Sequence, residues 1–369
     1  MSSNALIIQG VGIIVAIACA LPGVFLVLRR SAMVSDAISH SVLFGIVVGV
    51  MAFELEVGSP YLIILAALSG LLTVWLVELV IKTGRLANDA AIGLVFPILF
   101  SIAIVIINVY ARNTQLDEQA VLLGELVFAP INRVRILGTS IPEGFVVMGS
   151  ILVINLVLLL LFYKELKIST FDPSLAAALG FSPTLIYYGL MSMVSITAVG
   201  AFDHVGAILA IALMIAPAST AYLLTNNLKW MIGLSALFGA ISAVSGYWVS
   251  NWLNINTSGT IAAMTGVYFL FALVFAPEHG LLARFIEATQ RKRRFAVEML
   301  VFHLFNHENT PEQANESSVT HFMDVLNWQP EEITQTTNRA VQTGLVHRKD
   351  GQLQLTAEGR ELAQAVIDR

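Results

Sequence analysis

"RRSAMVSDAISHSVLFGIVVG", residues 29–49, turns into an apolar membrane-like run in its second half, yet its first half holds Asp36 and His40, four residues apart. In a helix, positions i and i+4 lie on one face, one turn apart. An ionisable side chain in a lipid-embedded helix costs about 2.5–3.5 kcal/mol by the lower estimates, and by default it marks an ion or substrate path. A carboxylate oxygen with an imidazole nitrogen is a ligand pair that suits a divalent transition metal such as Mn, Fe or Zn. Two ligands do not close a site, but two copies of the helix facing each other across a pore would bring together two Asp and two His. Ala37, Ser41, Gly45 and Gly49 form a small-residue stripe at every fourth position, which lets another helix approach closely. The plainer reading is that Asp36 N-caps the span and His40 is a satisfied polar residue near the interface.

Outward from this stretch, the chain is 57% hydrophobic and 12% charged, with a mean hydropathy of +0.79; soluble domains are roughly one-quarter charged. The expected fold is therefore an all-α polytopic membrane protein. Nine runs approach the membrane-spanning length, at 5–28, 37–56, 60–81, 91–110, 143–163, 184–201, 205–225, 230–253 and 260–277. Eight spans is the alternative count, because the sixth and seventh runs are split only by "FDHVG". No basic segment precedes the first run, which is expected to stay in the mature chain. The single cysteine, Cys19, excludes a disulfide framework or a cysteine metal cluster. With the N-terminus outside, Arg29, Arg30, Lys82, Arg85, Lys164, Lys167, Lys229, Arg284 and the "RKRR" at 291–294 fall on the cytoplasmic side. Arg112, Arg133 and Arg135 fall outside, matched by Asp117, Glu118 and Glu125.

After "RKRR" the composition becomes polar. The expected division is a permease domain at 1–285, a basic linker at 286–294 and a cytoplasmic domain at 295–369. Helical patterns at 295–305, 319–328 and 330–346 precede a two-stranded wing turning at Asp350-Gly351, and then a last helix, which together make a winged-helix-like α+β fold. Residues 291–369 hold nine Lys/Arg and eleven Asp/Glu, and the would-be recognition helix opens with Glu331 and Glu332. DNA binding draws on phosphate neutralisation, so a protein contact or regulatory role is favoured over DNA readout. His303 and His307, one turn apart with Glu308 beside them, make a regulatory metal site conceivable.

"LRRSAMVSDAISHSVLFGIVVG" resembles the signature of the metal-ion ABC permeases, the membrane subunits that import manganese, zinc or iron, whose motif reads as an Arg-bearing loop followed by G/S-D-A-x-S-H. "AFDHVGAILAIALMIAPASTAYLL" (201–224) is similar to a second marked segment of the family. "FDPSLAAALGFSP" (171–183) resembles the cytoplasmic coupling helix by which such subunits press on their ATPases. The resemblance implies a dimer of permease subunits, identical or homologous, with Asp36 and His40 lining the path between them. It also implies cytoplasmic ABC ATPase subunits and an extracellular metal-binding lipoprotein or periplasmic binding protein as partners. In the coupling segment, Asp172 and Pro173 start a helix, Ala176 and Ala177 offer a small face, and Gly180 ends it. The family's Glu-Ala-Ala wording is replaced here by Asp and Leu at the start, so contact residues do not transfer one by one.

Asp203 and His204, at the outer break between the sixth and seventh runs, are a second candidate metal pair. Pro97 and Pro217, inside spans, are candidate hinges. No G-x-x-x-x-G-K-[ST] occurs, so ATP hydrolysis must be supplied by a separate subunit. The expected function is the membrane subunit of an ATP-driven importer of a divalent transition metal across the bacterial cytoplasmic membrane. Manganese or iron(II) is favoured and zinc admitted. No permanently bound cofactor is expected, and the chain is not itself an enzyme. The alternative is a membrane-anchored, metal-responsive transcriptional regulator using the C-terminal domain.

Overall fold

A computed structural model describes residues 3–55, 60–110, 126–136, 139–311, 329–349 and 352–367. The chain divides into two compact units, Met1–Gly280 and Leu281–Arg369. Among the described residues, nine helices are long and apolar enough to cross a membrane. They are α1 (Ser3–Leu28), α2 (Ala32–Ala52), α3 (Pro60–Ile81), α4 (Asn88–Tyr110), α5 (Glu143–Leu161), α8 (Pro183–Val205), α9 (Ala207–Leu224), α10 (Leu228–Leu253) and α11 (Thr257–Phe275). Two short helices, α6 (Tyr163–Phe171) and α7 (Pro173–Ala178), lie between α5 and α8. Helices suit this composition because lipid offers no partner to an open backbone amide or carbonyl.

The helix ends follow local chemistry. Gly206, at φ +85°, separates α8 from α9 with a single residue; the left-handed region is cheap for glycine alone. Asn227 and Asn256 cap α10 and α11 by accepting from the Lys229 and Gly259 amides at 3.0 and 2.8 Å. The expected "FDHVG" break is thereby shorter than the sequence suggested: Phe202 to Val205 are still helical, so Asp203 and His204 occupy the last turn of α8 rather than a loop.

The second span also begins earlier than its apolar run. α2 starts at Ala32, with Ser31 in the cap position, which places Asp36 inside the helix and overturns the N-cap reading. The polar residues ahead of the run are helical too, and Ser35, Ser39 and Ser41 satisfy their hydroxyls on their own helix carbonyls at Ala32, Asp36 and Ile38, so no hydroxyl donor is left unpaired in the span.

α1 is the most thoroughly buried span and packs against α5, α9 and α10. The crossing with α9 is close: a Cβ on Gly23 would stand 1.9 Å from the Met214 carbonyl oxygen. Asn155 of α5, fully buried, donates to the Ala18 carbonyl at 3.2 Å and to Thr197 Oγ1 at 2.8 Å, tying α1, α5 and α8 together through one side chain. α2 packs on α3 and α4. Its small stripe faces α3: a Cβ on Gly45 would lie 2.5 Å from the Leu65 carbonyl oxygen, one on Gly49 would lie 2.5 Å from Leu62 Cδ2, and Ser69 Oγ donates to the Ser41 carbonyl at 2.8 Å. Between α4 and α5, a short antiparallel ladder pairs β1 (Arg133–Ile136) with β2 (Thr139–Pro142), an element with no forewarning in the sequence. The charges expected at 111–125 lie outside the described residues.

The second unit contains α12 (Leu281–Asn306), α13 (Pro330–Gln342), β3 (Val346–Lys349), β4 (Gln352–Leu355) and α14 (Ala357–Ile367). Its core joins Val297, Leu300, Val301 and Leu304 of α12 to Ile333, Val346, Leu353 and Ala363. The segment expected as a linker, 286–294, is continuous helix inside α12, because no glycine or proline interrupts 281–306. β3 and β4 pair with Lys349 opposite Gln352, which makes 350–351 the connection. The turn at Asp350-Gly351 and the helix expected at 319–328 lie outside the described residues.

Candidate functional site

The self-bonding of the α2 serines leaves Asp36 and His40 as the side chains of that turn with coordinating capacity to spare. Asp36 Oδ1 and His40 Nε2 are 3.6 Å apart, and the two side chains are 44% and 33% exposed. With metal–ligand bonds of about 2.1 Å, that separation subtends roughly 120° at one ion. The imidazole is held from below by α4: its ring stacks on Phe96 with centroids 5.3 Å apart and meets the edge of Phe100 at 5.7 Å. This aromatic shelf fixes the ring without using its nitrogens. Among the described residues no cluster of three or more His, Cys, Asp or Glu could hold a metal, so each chain offers a pair and not a closed cage.

The other Asp-His pair is built differently. His204 Nδ1 lies 3.8 Å from Asp203 Oδ2, but it also lies 3.0 Å from the Gly200 carbonyl, to which it must donate. The His204 side chain is 9% exposed and packs beside Gly144, whereas Asp203 is 71% exposed. In the second unit, the rings of His303 and His307 are 4.7 Å apart. Glu308, the expected third neighbour, is held by Arg360 through bonds of 2.7 to 3.0 Å, and that hydrogen bond pushes the Arg360 guanidinium above its ordinary pKa.

At the opposite end of the turn that opens α2 stands Arg29. Its Nη2 and Nε donate to Ser169 Oγ at 2.9 Å and Thr170 Oγ1 at 3.1 Å, and its guanidinium carbon sits 5.8 Å from the Tyr187 ring centroid. Burial pulls its pKa below the usual arginine range. Glu78 of α3 pairs with Lys82 at 3.1 Å and also accepts from Tyr188. Ser169 and Thr170 end α6, immediately before α7.

α7 is the segment marked out for coupling. Asp172 accepts from the Leu175 amide at 2.9 Å, and Gly180 takes φ +87°. Ala176 is fully buried and so faces its own chain, while Ala177, Leu175 and Leu179 are exposed. Pro97 and Pro217 lie within α4 and α9, which run on helically past both.

The model of the ABC 3 transport family matches residues 3–276, which include every one of these features of the first unit. The chain belongs to the ABC 3 transport family. As a member of this family it is a multi-pass membrane subunit of an ABC transporter, a transport component rather than an enzyme. The zinc transport system membrane protein TroD of Treponema pallidum is 45% identical over 359 residues, covering 97% of either chain. The manganese transport system membrane protein MntD of Bacillus subtilis is 46% identical over 285 residues, 77% of this chain and 96% of that protein. A solved structure of PsaBC from Streptococcus pneumoniae in complex with Fab superposes with a TM-score of 0.61 at 30% identity, over 75% of this chain and 92% of that one. The match to the Treponema relative therefore runs through the second unit of this ABC 3 member as well as the first.

Proposed function

We propose that this subunit imports a divalent transition metal across the bacterial cytoplasmic membrane, and that Asp36 and His40 form its half of the ion's path. The observation that carries the reading is the pair itself: one oxygen and one nitrogen on one turn, 3.6 Å apart, ring-stacked but uncommitted. Relatives named for zinc, manganese and iron transport give the same class of cargo. Asp with His accommodates all three ions. A second permease copy, identical or homologous, would complete the coordination, and two ligands per chain bind weakly enough to release the ion inward.

The basic residues at the inner ends of α1, α3, α9–α10 and α11 support an orientation with the second unit in the cytoplasm. ATPase subunits would then meet α7 through exposed Leu175, Ala177 and Leu179. Arg29 gives that contact a route: α7 follows Ser169 and Thr170, these bond Arg29, and Arg29 opens the turn that leads into α2. A push on α7 is thus delivered to the helix that bears the ligands. An extracellular binding protein would hand over the ion on the opposite side, and Pro97 and Pro217 are the points where α4 and α9 could flex. The order α12, α13, β3–β4, α14 supports a winged-helix reading of the second unit. Its acidic balance favours a protein contact. The transcriptional-regulator alternative gains nothing from the comparisons, in which the relative spanning 97% of the chain is named a transport membrane protein.

The test is metal uptake into vesicles holding the assembled transporter, with Asp36→Ala or His40→Ala. Import should disappear while assembly with the ATPase persists; import at the parental rate in both variants would overturn the reading.

A further inference from the structure

α12 is one helix with two unlike halves. Its later turns supply Val297, Leu300, Val301 and Leu304 to the core of the second unit. Its first turns bury none of their large apolar side chains: Leu281, Leu282 and Ile286 are exposed, and Phe285 is 74% exposed. At about 100° per residue these four fall within an arc of roughly 140°, with Arg284, Glu287 and Arg291 on the other side. Arg291 and Arg294 are paired with Glu287 and Glu298 at 3.3 and 2.8 Å, but Lys292 and Arg293 have no carboxylate partner among the described residues. In sequence, α12 follows the last span after five residues. The connection 276–280 is folded, with the Gly280 amide donating to the Ala276 carbonyl at 3.0 Å, and it is held to Asn226 through Glu278 at 2.7 Å and His279 at 3.1 Å. Five residues reach at most about 18 Å even when fully extended, and this segment is far from extended.

We propose that residues 281–294 lie along the inner membrane surface as an amphipathic anchor that binds anionic phospholipid. Phe285 and its apolar neighbours enter the headgroup boundary, and Lys292 and Arg293 meet lipid phosphates. An apolar face followed by a basic run directly after a span is the chemistry of such a surface, and uncompensated positive charge at the end of the apolar face favours phosphate over an apolar protein groove. The siting on the inner leaflet rests on the orientation argued above.

The single cysteine makes the test direct. In a Cys19→Ala background, Phe285→Cys and Glu287→Cys are each spin-labelled in the full chain, in nanodiscs of phosphatidylcholine alone or with half phosphatidylglycerol. The label at 285 should collide with oxygen and be shielded from a water-soluble nickel chelate, with the reverse at 287. The difference should be several-fold stronger with phosphatidylglycerol, and Lys292→Gln with Arg293→Gln should remove the lipid dependence. A label at 285 shielded from both agents, meaning a protein cover, would overturn the proposal. So would a label open to the chelate in both lipids, or an equal depth in both. Labelling the 287 cysteine with an impermeant maleimide in oriented vesicles reports sidedness separately, and metal uptake reports the transport reading, so failure of either leaves the depth measurement interpretable.

Discussion

The two Asp-His pairs of the membrane unit have nearly the same separation, 3.6 Å for Asp36 with His40 and 3.8 Å for Asp203 with His204, yet the first imidazole is 33% exposed and the second 9%. The difference lies in what surrounds each imidazole. His204 spends Nδ1 on the Gly200 carbonyl and is buried beside Gly144. His40 is oriented by ring contacts with Phe96 and Phe100, which leave Nε2 free to coordinate. A ring that donates through Nδ1 still carries a lone pair on Nε2, so access to that lone pair, rather than its existence, separates the two pairs.

The largest expected effect follows from that. Asp36→Ala or His40→Ala should lower metal uptake about a hundredfold or more, since even removal of groups that merely orient a metal ligand typically costs 10–100-fold. The double variant should be little worse than either single one, because the two act on one ion. Additive losses in vesicle uptake would mean that they act at separate steps and would break the comparison.

Next comes the link between the inner pair and α7, which the outer pair lacks. Arg29→Ala should cut uptake at least tenfold, the cost of a single hydrogen bond to a charged group at the lower end of its range of about 1.5–3 kcal/mol, while ATP hydrolysis by the assembled transporter continues. Arg29→Lys keeps the charge but not the fork that spans Ser169 and Thr170, so it should resemble Arg29→Ala in the number of ATP molecules used per ion. Uptake and hydrolysis falling in equal proportion would instead mean that Arg29 serves assembly alone.

A third difference is in seating. Gly45→Ala would drive a Cβ to 2.5 Å from the Leu65 carbonyl, displacing α2 and the pair it bears from α3. Overpacking of this kind costs about 1–3 kcal/mol, which outweighs the helix-propensity gain of about 1 kcal/mol. Gly93→Ala, which meets nothing within 4 Å, should show the gain alone. Thermal unfolding of the two variants in detergent should therefore shift in opposite directions; a shared direction would show that the contact at Gly45 relaxes cheaply.

The spans were legible because the membrane imposes a length and an apolar composition that few other structures share, and the observed helices begin and end close to the apolar runs. Where the reading slipped, polar residues proved compatible with the span: α2 begins at Ala32, Ser35, Ser39 and Ser41 pair their hydroxyls within the helix, and Asp36 is not a cap. Likewise a single glycine sufficed to separate α8 from α9, leaving Asp203 and His204 within a helix. Asp36 and His40 could be singled out from spacing because i and i+4 share a face. Their support could not. Phe96 and Phe100 are anonymous among the apolar residues of a span, and the partners of Arg29 lie about 140 residues away in sequence. Nothing local marks such contacts, or the bond from Asn155 to Thr197.

The smallest expected effect sharpens the comparison most. Asp203 is largely exposed at the end of α8, and His204 is buried, so Asp203→Asn removes a surface charge and leaves the imidazole in place. A surface change of this kind is worth about 0.5 kcal/mol, close to a twofold change in rate, and uptake should stay within that margin. If Asp203→Asn instead matched Asp36→Ala, the buried Nε2 of His204 would have to become accessible to the ion during transport, with Nδ1 still donating to Gly200. The outer pair would then be a second station on the path, and burial in one conformation would no longer separate a ligand from a structural histidine.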